Sequence, residues 1–456
     1  MNRLALINVL AVAACGGAPP RAGTSTSPGP DAGRVVVISV DGLMPDAYLE
    51  PDAHGLAVPT LRSLVARGAA ARVHGVMPTV TYPSHTTLVT GVPPRVHGIV
   101  TNKPLDPLDK NLDGWRWYAE DIAVPTLYQA VEAQHRVAAL IVWPVTVGAR
   151  ASVVVPEYWR AGGVDDQKLL RALSTPGLLD EVARAEPALW RLLTPPDIQD
   201  HAQFAIARHV LATRRPDLML VHVFALDDAQ HAHGPWSTEA SATIEAVDRE
   251  LGALLGDLER SADWPRTTLV VVSDHGFARV DHEIRLGALF VKHGLIRTDS
   301  EGAPTAADVG VVASGGSALI YVIDPARRAA IDVALGELGD HVARRIEHDE
   351  LVALGGDPRA SFALVAAAGH GFVDKRTGDV VGEVSPRGTH GWPPSDPQMA
   401  ASFVAFGPRV PHAALGTIEM TDIAPTIARW LGVPLPTATG APIAALAPPH
   451  AGGSAR

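Results

Sequence analysis

The chain has 456 residues, 47% of them hydrophobic and 19% charged, so it can bury a sizeable core and has the length of two or three units. With 38 Lys+Arg against 49 Asp+Glu, its net charge of -11 argues against a scaffold built to neutralise a nucleic-acid backbone, and no stable nucleic-acid binding is expected. Nineteen histidines beside a single cysteine mean that any transition-metal site must be built from imidazole and carboxylate rather than thiolate.

Residues 1–15 carry one early arginine, Arg3, an apolar stretch from Leu4 to Ala14 too short to span a bilayer, and small residues before Cys15. That pattern reads as a secretory signal over residues 1–14. Val12-Ala13-Ala14-Cys15-Gly16 also resembles the lipobox of bacterial lipoproteins, which implies lipidation of Cys15 and a membrane anchor. Sixteen of the eighteen residues from Gly16 to Gly33 are Gly, Ala, Pro, Ser or Thr, the composition of a flexible linker. The expected location is the bacterial cell envelope, as an outer-membrane lipoprotein facing the periplasm or the cell surface.

A folded body begins at residue 34. Arg34–Val40 (RVVVISV) is a β-branched run without alternation, as in a strand buried on both faces of a parallel sheet, and Asp41-Gly42 follows at once. The same grammar recurs at Leu218–Phe224 before Asp227 and at Leu269–Val272 before Ser273-Asp274-His275-Gly276. Between them, Thr238–Arg260 repeats apolar residues at spacings of three and four after a Ser237 start, which predicts an amphipathic helix. Strand, helix, strand means α/β, and ligands of open parallel sheets gather at the carboxyl ends of the strands. From about residue 277 to 382 the texture changes, with a strand over Ala318–Asp324 and a helix over Ala326–Gly339, as expected of a smaller inserted α+β subdomain. Sheet-like Ala401–Phe406 and a helix over Asp422–Leu431 return to the main body, which ends near residue 435, and residues 436–456 read as a loosely ordered tail.

The polar residues at these strand ends and glycine-rich joints are Asp41, Thr81, Asp227, His231, Asp274, His275 and His390. Three carboxylates and three imidazoles suffice for two borderline-soft divalent ions with three protein ligands each, and zinc is the expected identity. Asp227 and His231, four apart, share one face of a helical turn. Met77–Gly91 adds a nucleophile: a hydroxyl just ahead of Pro83 sits at a helix start that favours an anion, and a metal would lower its pKa. These features alone leave Thr79, Thr81, Thr86 and Thr87 open. Tyr82 and Tyr158 are candidate faces for stacking on a nucleobase.

Val40-Asp41-Gly42, the Pro78–His85 segment, His97-Gly98-Ile99 through Asn102, Asp227 through His231 with Gly234-Pro235, Ser273–Gly276 and Thr389-His390-Gly391 occur in one order. That order resembles the nucleotide pyrophosphatase/phosphodiesterase family, type I phosphodiesterases of the alkaline phosphatase superfamily, over residues 34–435. The resemblance implies an alkaline-phosphatase-like fold, a mostly parallel central sheet flanked by helices. It selects Thr81 as nucleophile and implies a phosphothreonine intermediate. It gives Asn102 the role of donating to a phosphate oxygen together with the Tyr82 backbone N–H. It also implies Asp41, Asp274 and His275 on the ion that activates Thr81, and Asp227, His231 and His390 on the ion facing the leaving group. The implied activity is hydrolysis of small phosphate diesters or nucleotides.

Three residues depart from the family pattern: Leu226 replaces the usual proline before Asp227, Gln230 the usual glycine before His231, and Ser84 the common asparagine before His85. A phosphomonoesterase or phosphonate hydrolase would keep the same ligands. The stretch after Trp143-Pro144, however, lacks the lysine of the Lys-x-Arg pair found in threonine-based monoesterases of the superfamily. A zinc-binding lipoprotein without activity is the remaining alternative; it needs neither Thr81 nor Asn102.

Overall fold

The computed structural model describes residues 33–112, 114–160, 164–193 and 200–447. The signal segment, Cys15 and the linker up to residue 32 lie outside the described residues.

The body is organised by an eight-stranded sheet: β1 (Arg34–Val40), β2 (Ala69–His74), β3 (Ala138–Ile141), β4 (Val153–Val155), β5 (Leu218–Val223), β6 (Thr267–Val272), β7 (Ala401–Phe406) and β8 (Ala413–Glu419). Their order across the sheet is β8-β2-β7-β6-β1-β5-β3-β4. β6, β1, β5, β3 and β4 run parallel, and β7 is antiparallel to both of its neighbours. The unbroken β-branched run of β1 is explained by two-sided cover: Val36, Ile38 and Val40 enter one hydrophobic cluster, and Val35 and Val37 the other.

Helices supply that cover. Four are used below: α1 (Thr81–Thr90), α2 (Ala225–His233), α3 (Thr238–Arg260) and α4 (Ile423–Leu431). α3 starts where the sequence predicts, with the Ser237 hydroxyl accepting from the Ala240 N–H at 3.2 Å. Ile244, Val247, Leu251, Leu254, Leu255 and Leu258 bury its apolar stripe on the first cluster. Its buried Asp248 accepts from the Thr60 and Leu61 N–H groups and so closes the start of the helix over Pro59–Arg67. α4 fills the opposite face.

Between β6 and β7 the chain forms a separate unit with its own hydrophobic cluster. A four-stranded antiparallel sheet joins Val309–Ser314, Ser317–Val322, Phe362–Ala366 and Val342–Glu347. A three-stranded sheet joins Ala278–Ile284 to Gly369–Phe372 and Val381–Thr389. That last strand runs past the boundary expected at residue 382 and leads directly to His390. The segment expected to be a loose tail is packed as far as residue 447. Trp430 donates to the Leu446 carbonyl at 3.1 Å, Arg429 donates to that of Ile443, and Leu446 is fully buried. The proline and alanine content hid an apolar anchor, Leu446. Among the described residues, no helix is long and apolar enough to cross a membrane.

Candidate active site

The three central strands β6, β1 and β5 end side by side, and each delivers acid to the same edge of the sheet. Asp41 follows β1, Asp274 and His275 follow β6, and α2, which begins just after β5, carries Asp227 and His231. His390 arrives from the inserted unit. The turn after Asp41 requires glycine: Gly42 has φ 68°, and a Cβ there would sit 2.7 Å from the Phe277 ring and 2.8 Å from the Gln230 amide nitrogen.

The three imidazoles share one arrangement. His231 Nδ1 meets the Gly388 carbonyl at 3.1 Å, His275 Nδ1 that of Gly276 at 3.2 Å, and His390 Nδ1 that of Thr79 at 3.0 Å. A carbonyl accepts only, so each Nδ1 carries a proton, and in the neutral ring Nε2 is the nitrogen left to present a lone pair. Those Nε2 atoms face carboxylates: His231 toward Asp227 at 3.3 Å, His275 toward Asp41 at 3.3 Å and Asp274 at 3.1 Å, His390 toward Asp227 at 3.7 Å.

On the acid side, Asp41 Oδ1, Asp227 Oδ1 and Asp274 Oδ2 are buried without a hydrogen-bond partner. Buried carboxylate oxygens left in that state are costly, and a cation is the simplest group that satisfies them. Burial, with Asp274 and Asp227 close by, pushes the Asp41 carboxyl well above the usual carboxylate range. Burial would lower His275, but the adjacent Asp274 charge raises it to about 9. Burial and the neighbouring His275 and His231 hold His390 well below the ordinary imidazole value. Ligand atoms of Asp227, His231 and His390 lie within 4.8 Å of one another, as do those of Asp41, Asp227 and His275. The donor set and the orphaned oxygens fit transition-metal ions. The first group is the trio expected for one ion. The second contains Asp227 where Asp274 was expected.

The four candidate hydroxyls separate cleanly. Thr79 donates to the Trp392 carbonyl at 2.7 Å, Thr86 to that of Tyr82 at 2.8 Å, and Thr87 to that of Pro83 at 3.0 Å. Thr81, the first residue of α1, instead directs its Oγ1 at His275 Nε2, 3.5 Å away. His85 holds this helix start in place, meeting the Thr81 carbonyl and the Ser39 hydroxyl at 2.8 Å each. The Tyr82 N–H donates to Asn102 Oδ1 at 2.9 Å, which leaves the Asn102 Nδ2 as the amide's donor. The two donors expected to act together on phosphate are thus bonded to one another here: the backbone N–H orients the amide.

A profile described as "Type I phosphodiesterase / nucleotide pyrophosphatase" matches residues 35–393. The chain belongs to that family. An uncharacterized pyrophosphatase/phosphodiesterase of Schizosaccharomyces pombe is 28% identical over 54% of this chain and 44% of its own. Human ectonucleotide pyrophosphatase/phosphodiesterase family member 5 is 26% identical over 57% of this chain and 48% of its own. The matched region therefore spans less than half the length of these curated relatives. The solved structure of human ectonucleotide pyrophosphatase/phosphodiesterase 5 superposes with a TM-score of 0.64 at 19% identity, covering 88% of this chain and 95% of that one. An inactive threonine-to-alanine variant of the murine protein, in complex with AMP, gives 0.63 at 20% identity and covers 88% and 96%. These superpositions establish a shared alkaline-phosphatase-like fold.

The departure at Gln230 has a visible purpose in this family member. Its side chain is fully buried and donates to the Gly42 carbonyl at 3.0 Å, tying α2 to the turn that carries Asp41. The stacking role expected of Tyr82 is not supported. Its ring is fully buried, covered by Trp115 at 5.3 Å, and its hydroxyl donates to Glu157 at 2.8 Å, so no face is open to a base. Tyr158 is half-buried against Trp117 at 4.8 Å. The partly exposed rings at this rim are Trp115, Trp159 and Phe224, whose neighbouring centroids lie 5.8 and 6.0 Å apart.

Sequence reasoning also missed His222 and Glu157. His222 Nε2 meets Asp41 Oδ2 at 3.0 Å, and its Nδ1 meets Glu157 Oε2 at 2.9 Å. Burial opposes a charge there, yet the two carboxylates hold the imidazole well above its ordinary value. The one available signal was a histidine inside an otherwise apolar strand, LMLVHV. His97 is structural: it accepts from the Ile99 N–H at 3.1 Å and meets the Thr87 hydroxyl at 3.1 Å. His370 lies in the inserted unit, 2.9 Å from His341. His233 is exposed.

Proposed function

We propose that the chain is an exported, two-zinc phosphodiesterase that hydrolyses nucleotide diesters or pyrophosphates through a phosphothreonine on Thr81. One observation carries the reading: three oriented Nε2 atoms and three unsatisfied carboxylate oxygens converge beside the one hydroxyl of the segment aimed at them. Asp41, Asp274 and His275 would hold one ion, and Asp227, His231 and His390 the other. Bound zinc supplies Lewis acidity, lowering the pKa of a hydroxyl and neutralising charge on phosphate and leaving oxygens.

In the first displacement the Thr81 hydroxyl gives up its proton to solvent and its oxygen bonds to phosphorus as the P–O bond to the alcohol or nucleotide breaks, the leaving oxygen taking a proton from solvent. In the second, water displaces the threonine oxygen from phosphorus and Thr81 regains its proton. Asn102, its Oδ1 held by the Tyr82 N–H, presents its Nδ2 to a non-bridging oxygen. The AMP complex of the murine neighbour, formed by an inactive threonine variant, favours a nucleotide as substrate. Comparing turnover of nitrophenyl thymidine monophosphate with that of nitrophenyl phosphate tests the reading, and preference for the simple monoester rejects it.

The N-terminal segment adds a membrane anchor to this reading. With Cys15 lipidated, residues 16–33 let the catalytic body sit off the surface of the cell envelope. Cys15→Ser in the full chain should move the protein from the membrane fraction to a soluble or unprocessed form. Wild-type protein found wholly soluble in the periplasm rejects the anchor.

A further inference from the structure

Behind the acid and imidazole cluster runs a second line of polar side chains that touches neither the strand-end carboxylates' open oxygens nor Thr81 directly. Asp41 Oδ2 is bonded to His222, His222 to Glu157, Glu157 Oε1 to the Tyr82 hydroxyl, and the Tyr82 N–H to Asn102. The four links are 3.0, 2.9, 2.8 and 2.9 Å long. Asp41, His222, Glu157 and Tyr82 are each at most 3% exposed. Each element contributes one member: Asp41 follows β1, His222 lies in β5 directly opposite Ser39, Glu157 follows β4, and Tyr82 is the second residue of α1.

A carboxylate has two oxygens, and the line of bonds uses them unequally. Oδ2 of Asp41 is taken by His222, while Oδ1 is left buried, unpartnered and aimed at His275. An aspartate without that anchor turns freely about its terminal torsion and presents either oxygen or both. At the far end, Tyr82 bonds Glu157 through its hydroxyl and Asn102 through its backbone N–H.

We propose that His222 is a positioning residue that commits one oxygen of Asp41 to the metal, and that Glu157 and Tyr82 tie this alignment to Asn102. The proposal deepens the two-zinc reading and rests on it. Groups that orient metal ligands in this way change metal affinity or activity by about 10–100-fold when removed. The two ends of the line therefore give different readouts. His222→Gln acts on zinc retention, whereas Tyr82→Phe, which keeps the ring and the Asp41–His222 bond, acts on Asn102.

The test challenges zinc-loaded full-length protein with a graded chelator and counts zinc retained, alongside kcat at saturating zinc and melting temperature. His222→Gln should release one of the two zinc ions at a chelator concentration about 10–100-fold lower than wild type. Tyr82→Phe should retain zinc like wild type and lose about twofold to tenfold in kcat, the worth of one hydrogen bond. If His222→Gln does not fold, Glu157→Gln carries the test, with weaker zinc retention expected in the same direction. Wild-type zinc retention in every folded variant overturns the proposal, even if melting temperatures fall. Because zinc retention is read without substrate, this failure is distinct from absence of diesterase activity in the wild type, which would reject the functional reading instead.

Discussion

The acid and imidazole pocket and the aromatic rim beside it lie at the same end of the sheet, but they are finished to different degrees. In the pocket, three buried carboxylate oxygens lack partners, and three imidazoles are fixed through Nδ1 with Nε2 pointing inward. At the rim, Trp115, Trp159 and Phe224 pack on one another and on Tyr82, and Trp117 packs on Tyr158, so the aromatic surface largely satisfies itself. A set of fixed, unsatisfied polar groups specifies a ligand strongly, since the missing partner is costly. A set of half-exposed rings specifies weakly, because dispersion and burial tolerate many shapes. The chemistry should therefore fail abruptly under substitution, and substrate preference should drift.

The sharpest break lies at Thr81. Thr81→Ala should lower kcat by on the order of 10³-fold or more, since the covalent route is lost, while two zinc ions remain bound. Thr79→Ala should keep most activity: its hydroxyl serves only the Trp392 carbonyl, and losing such a bond costs about 1 kcal/mol of stability. Turnover of a nucleotide diester, zinc content and melting temperature for both variants check this. An inactive Thr79→Ala beside an active Thr81→Ala would move the nucleophile two residues upstream.

Asn102→Ala comes next, with an expected loss of about 10²–10³-fold in kcat, as for other single oxyanion donors. The effect should appear in kcat more than KM, because the Nδ2 donor matters most where charge develops on the phosphoryl oxygens. Equal losses in both parameters from Asn102→Ala and Asn102→Asp would argue for a packing role.

Metal retention should depend on pH with a definite sign. Without metal, His275 carries its proton up to about pH 9, raised by Asp274 against the effect of burial, and zinc must expel that proton to bind. Zinc affinity should thus strengthen with rising pH by up to roughly tenfold per unit, levelling off near 9, and acid should strip the protein. His390, held well below the ordinary value by burial, is already neutral and adds little to this slope. Chelator competition at pH 6, 7 and 8 measures the slope; a flat profile would exclude His275 as a ligand that must lose a proton.

The two regions also differ in how far the sequence could reveal them. β1, β5 and β6 announce themselves as apolar runs followed by acid, and parallel strands in one sheet must bring those ends together, so Asp41, Asp227, Asp274 and His275 were legible as one cluster. The helix over residues 238–260 was legible from period and cap alone. The choice of Thr81 over Thr79 was legible only through the family resemblance, because locally both are hydroxyls near one helix start, and they are separated by distant partners, the Trp392 carbonyl for Thr79 and His275 for Thr81. Tyr82 misled because an aromatic beside a nucleophile reads as a stacking face, whereas its hydroxyl found Glu157, 75 residues on. The rim rings come from three distant segments and share no local pattern. The packing of residues 436–447 was hidden for a related reason: besides Leu446, it is held by the Arg429 and Trp430 side chains, which lie outside the segment itself.

The smallest expected effect is at the rim, and it decides whether the contrast holds. Trp159 packs between Trp115 and Phe224, and Phe224 lies just ahead of the helix that carries Asp227 and His231. If the rim receives the organic part of the substrate, truncating one exposed ring removes binding shared by ground and transition states. Trp159→Ala should then raise KM for a nucleotide diester by about threefold to tenfold with kcat nearly unchanged. The same variant should leave KM for a methyl nitrophenyl phosphate diester within about twofold, since that substrate has no base to contact the ring. Zinc content should match wild type, because the ring partners of Trp159 are Trp115 and Phe224, neither of them an expected ligand. A fall in kcat with both substrates, accompanied by lost zinc, would show that the rim supports the pocket through Phe224 and α2. Selective loss for the nucleotide alone would keep the two regions energetically separate, with the pocket setting the reaction and the rim grading its substrates.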